Sequence, residues 1–186
     1  MKTKHLVITV VLVGLMINPM LVLAGKGKGS GSGSTAVLTE KEASDLIFLR
    51  EEEKLARDVY IAMFDEYQTQ IFANISESEQ RHMDKVKGLI DKYGLDDPVI
   101  DDTPGMFTNT FLDGKYEELT EKGEVSLRDA LEVGIIIEEL DIHDIEVEML
   151  PDAIQRDVKN VLANLLAGSY NHLDAFTKVI DALPTE

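Results

Sequence analysis

The chain has no cysteine among its 186 residues. That excludes a disulfide framework, lipid attachment through a cysteine, and any thiolate-held iron–sulfur or rubredoxin-like centre. Positive charge is also scarce: 18 Lys and Arg stand against 35 Asp and Glu, a formal net charge of −17. A surface of that sign repels nucleic acid and anionic lipid and attracts cations. Strand-like alternation is rare as well, whereas four long segments space their buried-type residues by three and four, so the expected fold is all-α.

What the chain does have begins with an apolar leader. "MKTKHLVITVVLVGLMINPMLVLA" puts Lys2 and Lys4 before an apolar run and ends in Val22-Leu23-Ala24, residues suited to signal-peptidase cleavage before Gly25. Residues 1–24 therefore read as a secretory signal, and the expected location is extracytoplasmic, periplasmic or secreted. The alternative is an uncleaved membrane anchor, although Asn18 and Pro19 interrupt the run. "GKGKGSGSGS" opens a flexible linker over residues 25–38, and one domain is expected over 39–184. Cleavage would remove two lysines and no acid, taking the formal charge from −17 to −19.

The first predicted helix starts at Thr39, which forms a Thr-x-x-Glu capping box with Glu42, and runs to about Tyr67. Its apolar seam is Leu46, Leu49, Glu53, Ala56, Tyr60 and Met63. The second starts within 70–77 and ends at Tyr93, where Gly94 supplies a left-handed cap; its seam is Ile75, Glu79, His82, Val86, Leu89 and Tyr93. A long crossover with a short helix near 107–121 follows. Ser126 caps the third, which reaches Met149 with seam Leu127, Leu131, Gly134, Glu138, Asp141 and Ile145. Pro151 suits the first turn of the fourth, which runs to Leu183 with seam Val158, Val161, Leu165, Ser169, His172, Phe176 and Val179. Two hairpins joined by one long crossover describe a ferritin-like four-helix bundle, since a cytokine-type bundle needs two long connections.

The seams turn polar at matching places: Glu53, then Glu79 with His82, then Glu138 with Asp141, then His172. Four converging carboxylates cannot sit uncompensated in an apolar core, because desolvating one charge already costs several kcal/mol. Two divalent cations would balance four carboxylates and leave two neutral imidazoles as further ligands. An oxygen-rich set with one imidazole per metal suits iron, with manganese as the alternative.

Each member also has an ordinary reading. Ser76-Glu77-Ser78-Glu79 can be a plain capping box, "REEEK" at 50–54 a solvated face, "EELDIHD" at 138–144 an acidic surface, and His172 a hydrogen-bonded core histidine. Glu52 competes with Glu53, and Glu139 with Glu138. His143 fits no seam and reads as surface.

The stretches "REEEKLARDVY", "IFANISESEQRHMD", "EELDIHDIE" and "LLAGSYNHLDAF" resemble the ferritin-like superfamily of di-iron carboxylate proteins. More closely they resemble an uncharacterised ferritin-like domain family named only as a domain of unknown function, with rubrerythrin-like features in "EKLARDVY". The resemblance implies metal ligands at Glu53, Glu79, His82, Glu138 and His172. It departs at Ser169, where the superfamily carries the glutamate of a second Glu-x-x-His; Asp141 is the expected replacement. It further implies Fe(II) oxidation by oxygen or peroxide, with Tyr60 or Tyr170 as redox or packing partners and an external electron donor for turnover. The other expected functions are a non-catalytic iron or manganese buffer and, last, an interaction bundle. Oligomerisation is compatible with all of them.

Overall fold

The computed structural model describes residues 37–184. The signal segment expected at 1–24 and all of the expected linker except Val37 and Leu38 lie outside the described residues. No helix among those residues is long and apolar enough to cross a membrane.

The described residues are helices and connections, with no strand among them. Helix α1 spans Glu40–Tyr67 and begins with the expected capping box: Thr39 Oγ1 accepts from Glu42 N–H at 3.0 Å, and Glu42 Oε2 accepts from Thr39 N–H at 2.9 Å. The other oxygen, Glu42 Oε1, accepts from Ile154 and Gln155 N–H at 2.7 and 2.8 Å. One buried carboxylate thus supports the starts of both the first and the last helix. Helix α2 spans Gln70–Tyr93 and ends on Gly94 in the left-handed region at φ 69°. Helix α3, Thr110–Gly123, is capped by Asn109, whose side chain accepts from Phe111 and Leu112 N–H. Helix α4, Leu127–His143, is capped by Ser126, and helix α5 spans Arg156–Ala182.

Two expected boundaries are corrected. The third long helix does not run unbroken to Met149: it is α-helical to His143 and π-helical over Asp144–Met149, with Leu150 N–H donating to Ile145 C=O five residues back. Asp141, Ile145 and Met149 are all buried along this stretch. Nor does Pro151 open the last helix. Residues 150–155 form a connector, and α5 starts only after Glu42 has taken the amides of Ile154 and Gln155.

Helix α1 packs on α2 and α4 on α5; α2 meets α5, α1 meets α4, and α3 lies against α1 and α4. This is an all-helical bundle of two hairpins. Its core falls into two apolar clusters. One gathers Val59, Tyr60, Met63, Phe72, Ile75, Leu131, Ile137 and Phe176; the other gathers Leu46, Leu49, Val86, Leu89, Ile145, Leu162 and Leu165. On each of the four long helices the polar residues of the seam (Glu53; Glu79 and His82; Glu138 and Asp141; Ser169 and His172) fall between a member of one cluster and a member of the other. The polar layer is therefore one level of the bundle with apolar packing above and below it. In the last helix Leu162 is fully buried and Val161, expected on the seam, only half-buried.

The "REEEK" stretch is not a solvated face. Arg50, Glu51, Lys54, Arg57 and Asp58 are all buried, on the side of α1 under the crossover. Glu51 accepts from Thr108 and Asn109 N–H at 2.6 and 3.1 Å, and Arg50 pairs with Asp97 at 3.2 Å. Lys54 bonds Asp58 and Thr103 C=O and lies 4.6 Å over the Phe107 ring. Asp58 also accepts from Arg57 and from Gly105 N–H. These charges face away from the polar layer, as their offsets predict, and each has a partner that stabilises it out of water.

Candidate metal centre

Helix α1 brings Glu53 inward: it is 2% exposed, and its Oε2 lies 3.2 Å from His82 Nδ1. Glu52 lies half-buried against Asp144, near Asp141 and Glu53, with its own Oε2 buried without a partner, and it is not among the groups brought together to hold a metal. On α2, Glu79 and His82 meet on one face through their three-residue spacing, with Glu79 Oε2 2.7 Å from His82 Nδ1. Because α2 begins at Gln70, the Ser76 capping box does not exist; Ser76 Oγ instead donates back to Ala73 C=O. On α4, Glu138 is inside and Glu139 is exposed. From α5, His172 places Nδ1 2.8 Å from Glu79 Oε1 and 3.4 Å from Glu138 Oε2.

The result is two trios able to hold a metal ion, Glu53–Glu79–His82 and Glu79–Glu138–His172, sharing the Glu79 carboxylate. The two imidazole rings lie 5.6 Å apart. Asp141 also points inward, at 7% exposure, with Oδ2 held by the Ser169 hydroxyl, but it belongs to neither trio. Ser169, in the slot where a second glutamate was expected, thus contacts the acid expected to replace it.

The donor set fits cations. Glu53 Oε1, Glu79 Oε1, Asp141 Oδ1 and His172 Nδ1 are buried without a hydrogen-bond partner among the described residues, as are Glu52 Oε2 beside them and Arg50 Nη1 under the crossover. Buried polar atoms left unpaired are costly, so each such atom calls for an explanation. Glu79 Oε1 and His172 Nδ1 are near neighbours, yet not aligned as donor and acceptor. Two ligands of one ion stand in that relation.

Without cations, protons compensate. Burial opposes ionisation of Glu79, but the two imidazoles on its oxygens outweigh it and lower its pKa to about 2. Burial also opposes charge on His82, where Glu53 and Glu79 prevail and push it up to about 10; at His172, Glu138 and Glu79 push it up to about 9. Burial and the Glu79 charge raise Glu138 to about 8. Burial raises Asp141 to about 7 against the Ser169 hydrogen bond, and burial with the Asp141 charge holds Glu53 well above the carboxylate range. In the metal-free layer, protons supply the positive charge that the carboxylates call for.

Tyr60, fully buried, donates to Glu138 Oε1 at 2.7 Å and packs on Phe176 and Phe72 at centroid distances of 5.2 and 6.4 Å. Tyr170 is corrected: it is 46% exposed and bonds Glu146 at the surface. His143 is exposed, as expected. Gly134, expected on the seam, leaves room for Phe176. Two contributors were not singled out in the sequence: Gly168 leaves room for the His82 ring, and Ser78 bonds His172 Nε2 at 3.0 Å. A glycine inside a helix is a legible sign of close approach; a serine beside a glutamate carries no such sign.

Among known proteins, an uncharacterised protein of Methanocaldococcus jannaschii, MJ0754, is 47% identical over 144 residues, which is 77% of each chain. The crystal structure of hypothetical protein MJ0754 from Methanococcus jannaschii matches with a TM-score of 0.78 at 46% identity, over 81% of this chain and 86% of that one. A DUF305 fragment from Deinococcus radiodurans shares the fold alone, with a TM-score of 0.59 at 15% identity over 80% of this chain and all of the fragment. Residues 42–185 match the model of an uncharacterised protein domain, DUF2202. With nearly all of both hairpins and every residue of the polar layer inside that match, the chain belongs to the DUF2202 family.

Proposed function

We propose that this is an exported di-metal protein of ferritin-like architecture, with iron as its metal, that oxidises Fe(II) with oxygen or peroxide. The observation that carries the reading is Glu79: one buried carboxylate stands between two histidines, each of which has a second carboxylate beside it. Glu53 and His82 would help hold one ion, Glu138 and His172 the other, with Glu79, common to both trios, available to each. Asp141, steadied by Ser169, would supply the fourth carboxylate. When bound, iron supplies the one-electron chemistry, two Fe(II) giving up one electron each to the oxidant.

The chain's own part is geometry and exclusion of water. The Tyr60–Phe72–Phe176 cluster closes one side of the layer, and the Leu46, Leu49 and Val86 cluster closes the other. Both keep the dielectric low, so the carboxylates act strongly on a bound cation. Tyr60 would hold Glu138 by its Oε1 and leave Oε2 for the ion. Repeated turnover would draw electrons from an external donor, since the chain has no cysteine-held centre to supply them.

The test is metal analysis of the full chain after anaerobic loading with Fe(II) and desalting, with Glu79→Ala in parallel, followed by exposure to oxygen or peroxide. Close to two iron ions per chain, lost in Glu79→Ala, with Fe(II) consumed faster than in buffer, is the expected result. Metal retained without faster oxidation would reduce the function to an iron or manganese buffer. No retained metal would overturn the reading altogether.

A further inference from the structure

We infer that Ser78 is a positioning residue that fixes His172 to bind metal through Nδ1. This rests on the di-metal reading and deepens it. The two ring nitrogens of His172 face different partners: Nδ1 lies towards Glu79 Oε1 and Glu138 Oε2, at 2.8 and 3.4 Å, and Nε2 lies 3.0 Å from Ser78 Oγ. Both sets of contacts come largely from neighbouring residues of one helix. Ser78 and Glu79 point about 100° apart around α2, so the ring spans the angle between them.

The consequence is a choice of atom. Nδ1 faces only carboxylate oxygens and is the nitrogen without a hydrogen-bond partner, so it is the one free to ligate. A ligating nitrogen must give up its proton, and the other then carries the ring's N–H. Ser78 Oγ is placed to accept that N–H. Turning the ring over about its Cβ–Cγ bond would put carbon where each nitrogen now stands, losing the serine bond and the metal ligand together. The serine therefore selects both the rotamer and the ligating nitrogen. His82 is held differently: its Nδ1 also faces two carboxylates, but its Nε2 edge lies against Gly168, where a Cβ would come within 2.6 Å. The two halves of the centre are oriented by different means, a hydroxyl for one histidine and steric fit for the other.

The experiment titrates metal-stripped full chain with Zn(II) and reads, by nitrogen NMR of labelled histidines, which ring nitrogen is bound and which carries hydrogen. The parent is expected to take up two zinc ions, with both His82 and His172 bound through Nδ1. In Ser78→Ala the affinity on the His172 side should fall about 10- to 100-fold, with loss of the single Nδ1-bound signature, while His82 keeps its own. Ser78→Thr, which retains the hydroxyl, should restore both. Two zinc ions bound by Ser78→Ala as by the parent, with His172 still on Nδ1, would overturn the proposal alone. A loss that threonine does not restore would assign Ser78 to packing and overturn it too. A parent that binds no zinc would overturn the di-metal reading and this proposal with it.

Discussion

At Gly168 a side chain of any size meets the polar layer. An added Cβ would stand 2.6 Å from His82 Nε2 and 2.7 Å from its Cε1, inside contact distance. Alanine is intrinsically the better helix residue by up to about 1 kcal/mol, so Gly168→Ala sets helix propensity against the position of one ligand. The ring is the part that can give way, and the expected result is a roughly 10-fold or greater loss of affinity on the Glu53 side, with little change in the stability of the metal-free chain. Metal titration alongside urea unfolding checks both; unchanged affinity would mean that His82 does not ligate from its present position. Tyr60 is tested by the opposite pattern. Tyr60→Phe keeps the ring stacked on Phe176 but leaves Glu138 Oε1 without its donor, which should cost about 1–3 kcal/mol in metal-free unfolding. No loss would mean that Glu138 finds another partner.

Where α1 meets the irregular stretch at 97–109, many of the contacts are charged. Lys54, fully buried, bonds Asp58 and Thr103 C=O, while Asp58 also holds Arg57 and the Gly105 amide. Lys54→Met preserves volume but strips a buried carboxylate of one partner. Breaking a buried pair typically costs roughly 3–5 kcal/mol, and with Arg57 and Gly105 still in place the low end is expected. The crossover should also open to hydrogen exchange at Gly105 before the helices do; unchanged protection there would show that the loop does not depend on this pair. None of this was legible in "REEEKLARD", because charge on a helix gives no sign of an irregular segment that folds over it from some fifty residues away. The polar layer was legible for the converse reason. Glu53, Glu79, His82, Glu138 and His172 interrupt apolar seams, and a seam is written in the local period of the chain. The π-turn at Asp144–Met149 escaped because it changes the period itself, and Ser78 because its partner lies on another helix.

Over the whole molecule, the metal-free fold binds protons that the unfolded chain would release. Asp141 and Glu138 titrate at about 7 and about 8 in the fold against ordinary values of 3.8 and 4.5, and His172 and His82 at about 9 and about 10 against 6.5. Each folded value lies above its unfolded one, so the stability linked to these groups is fully present below the unfolded value and is lost as pH rises through the folded one. Glu79 runs the other way, lowered to about 2, and its contribution is lost only on strong acidification. Glu42, Asp102 and Asp157, whose values are lowered by hydrogen bonds and cations that outweigh burial, likewise act on the acid side. Between about pH 5 and about pH 9, then, the metal-free chain should become less stable as pH rises. Divalent cations reverse the slope, because binding must displace the same protons and so strengthens as they leave. Thermal unfolding of stripped and Fe(II)-loaded protein, kept anaerobic, should show curves that nearly coincide at about pH 5 and diverge steadily towards about pH 8, with protons released on loading near neutrality. A stripped chain that gains stability over that range would mean that the carboxylates of the layer are not close enough to hold one another's protons, and a centre that loose could not bring two cations onto Glu79.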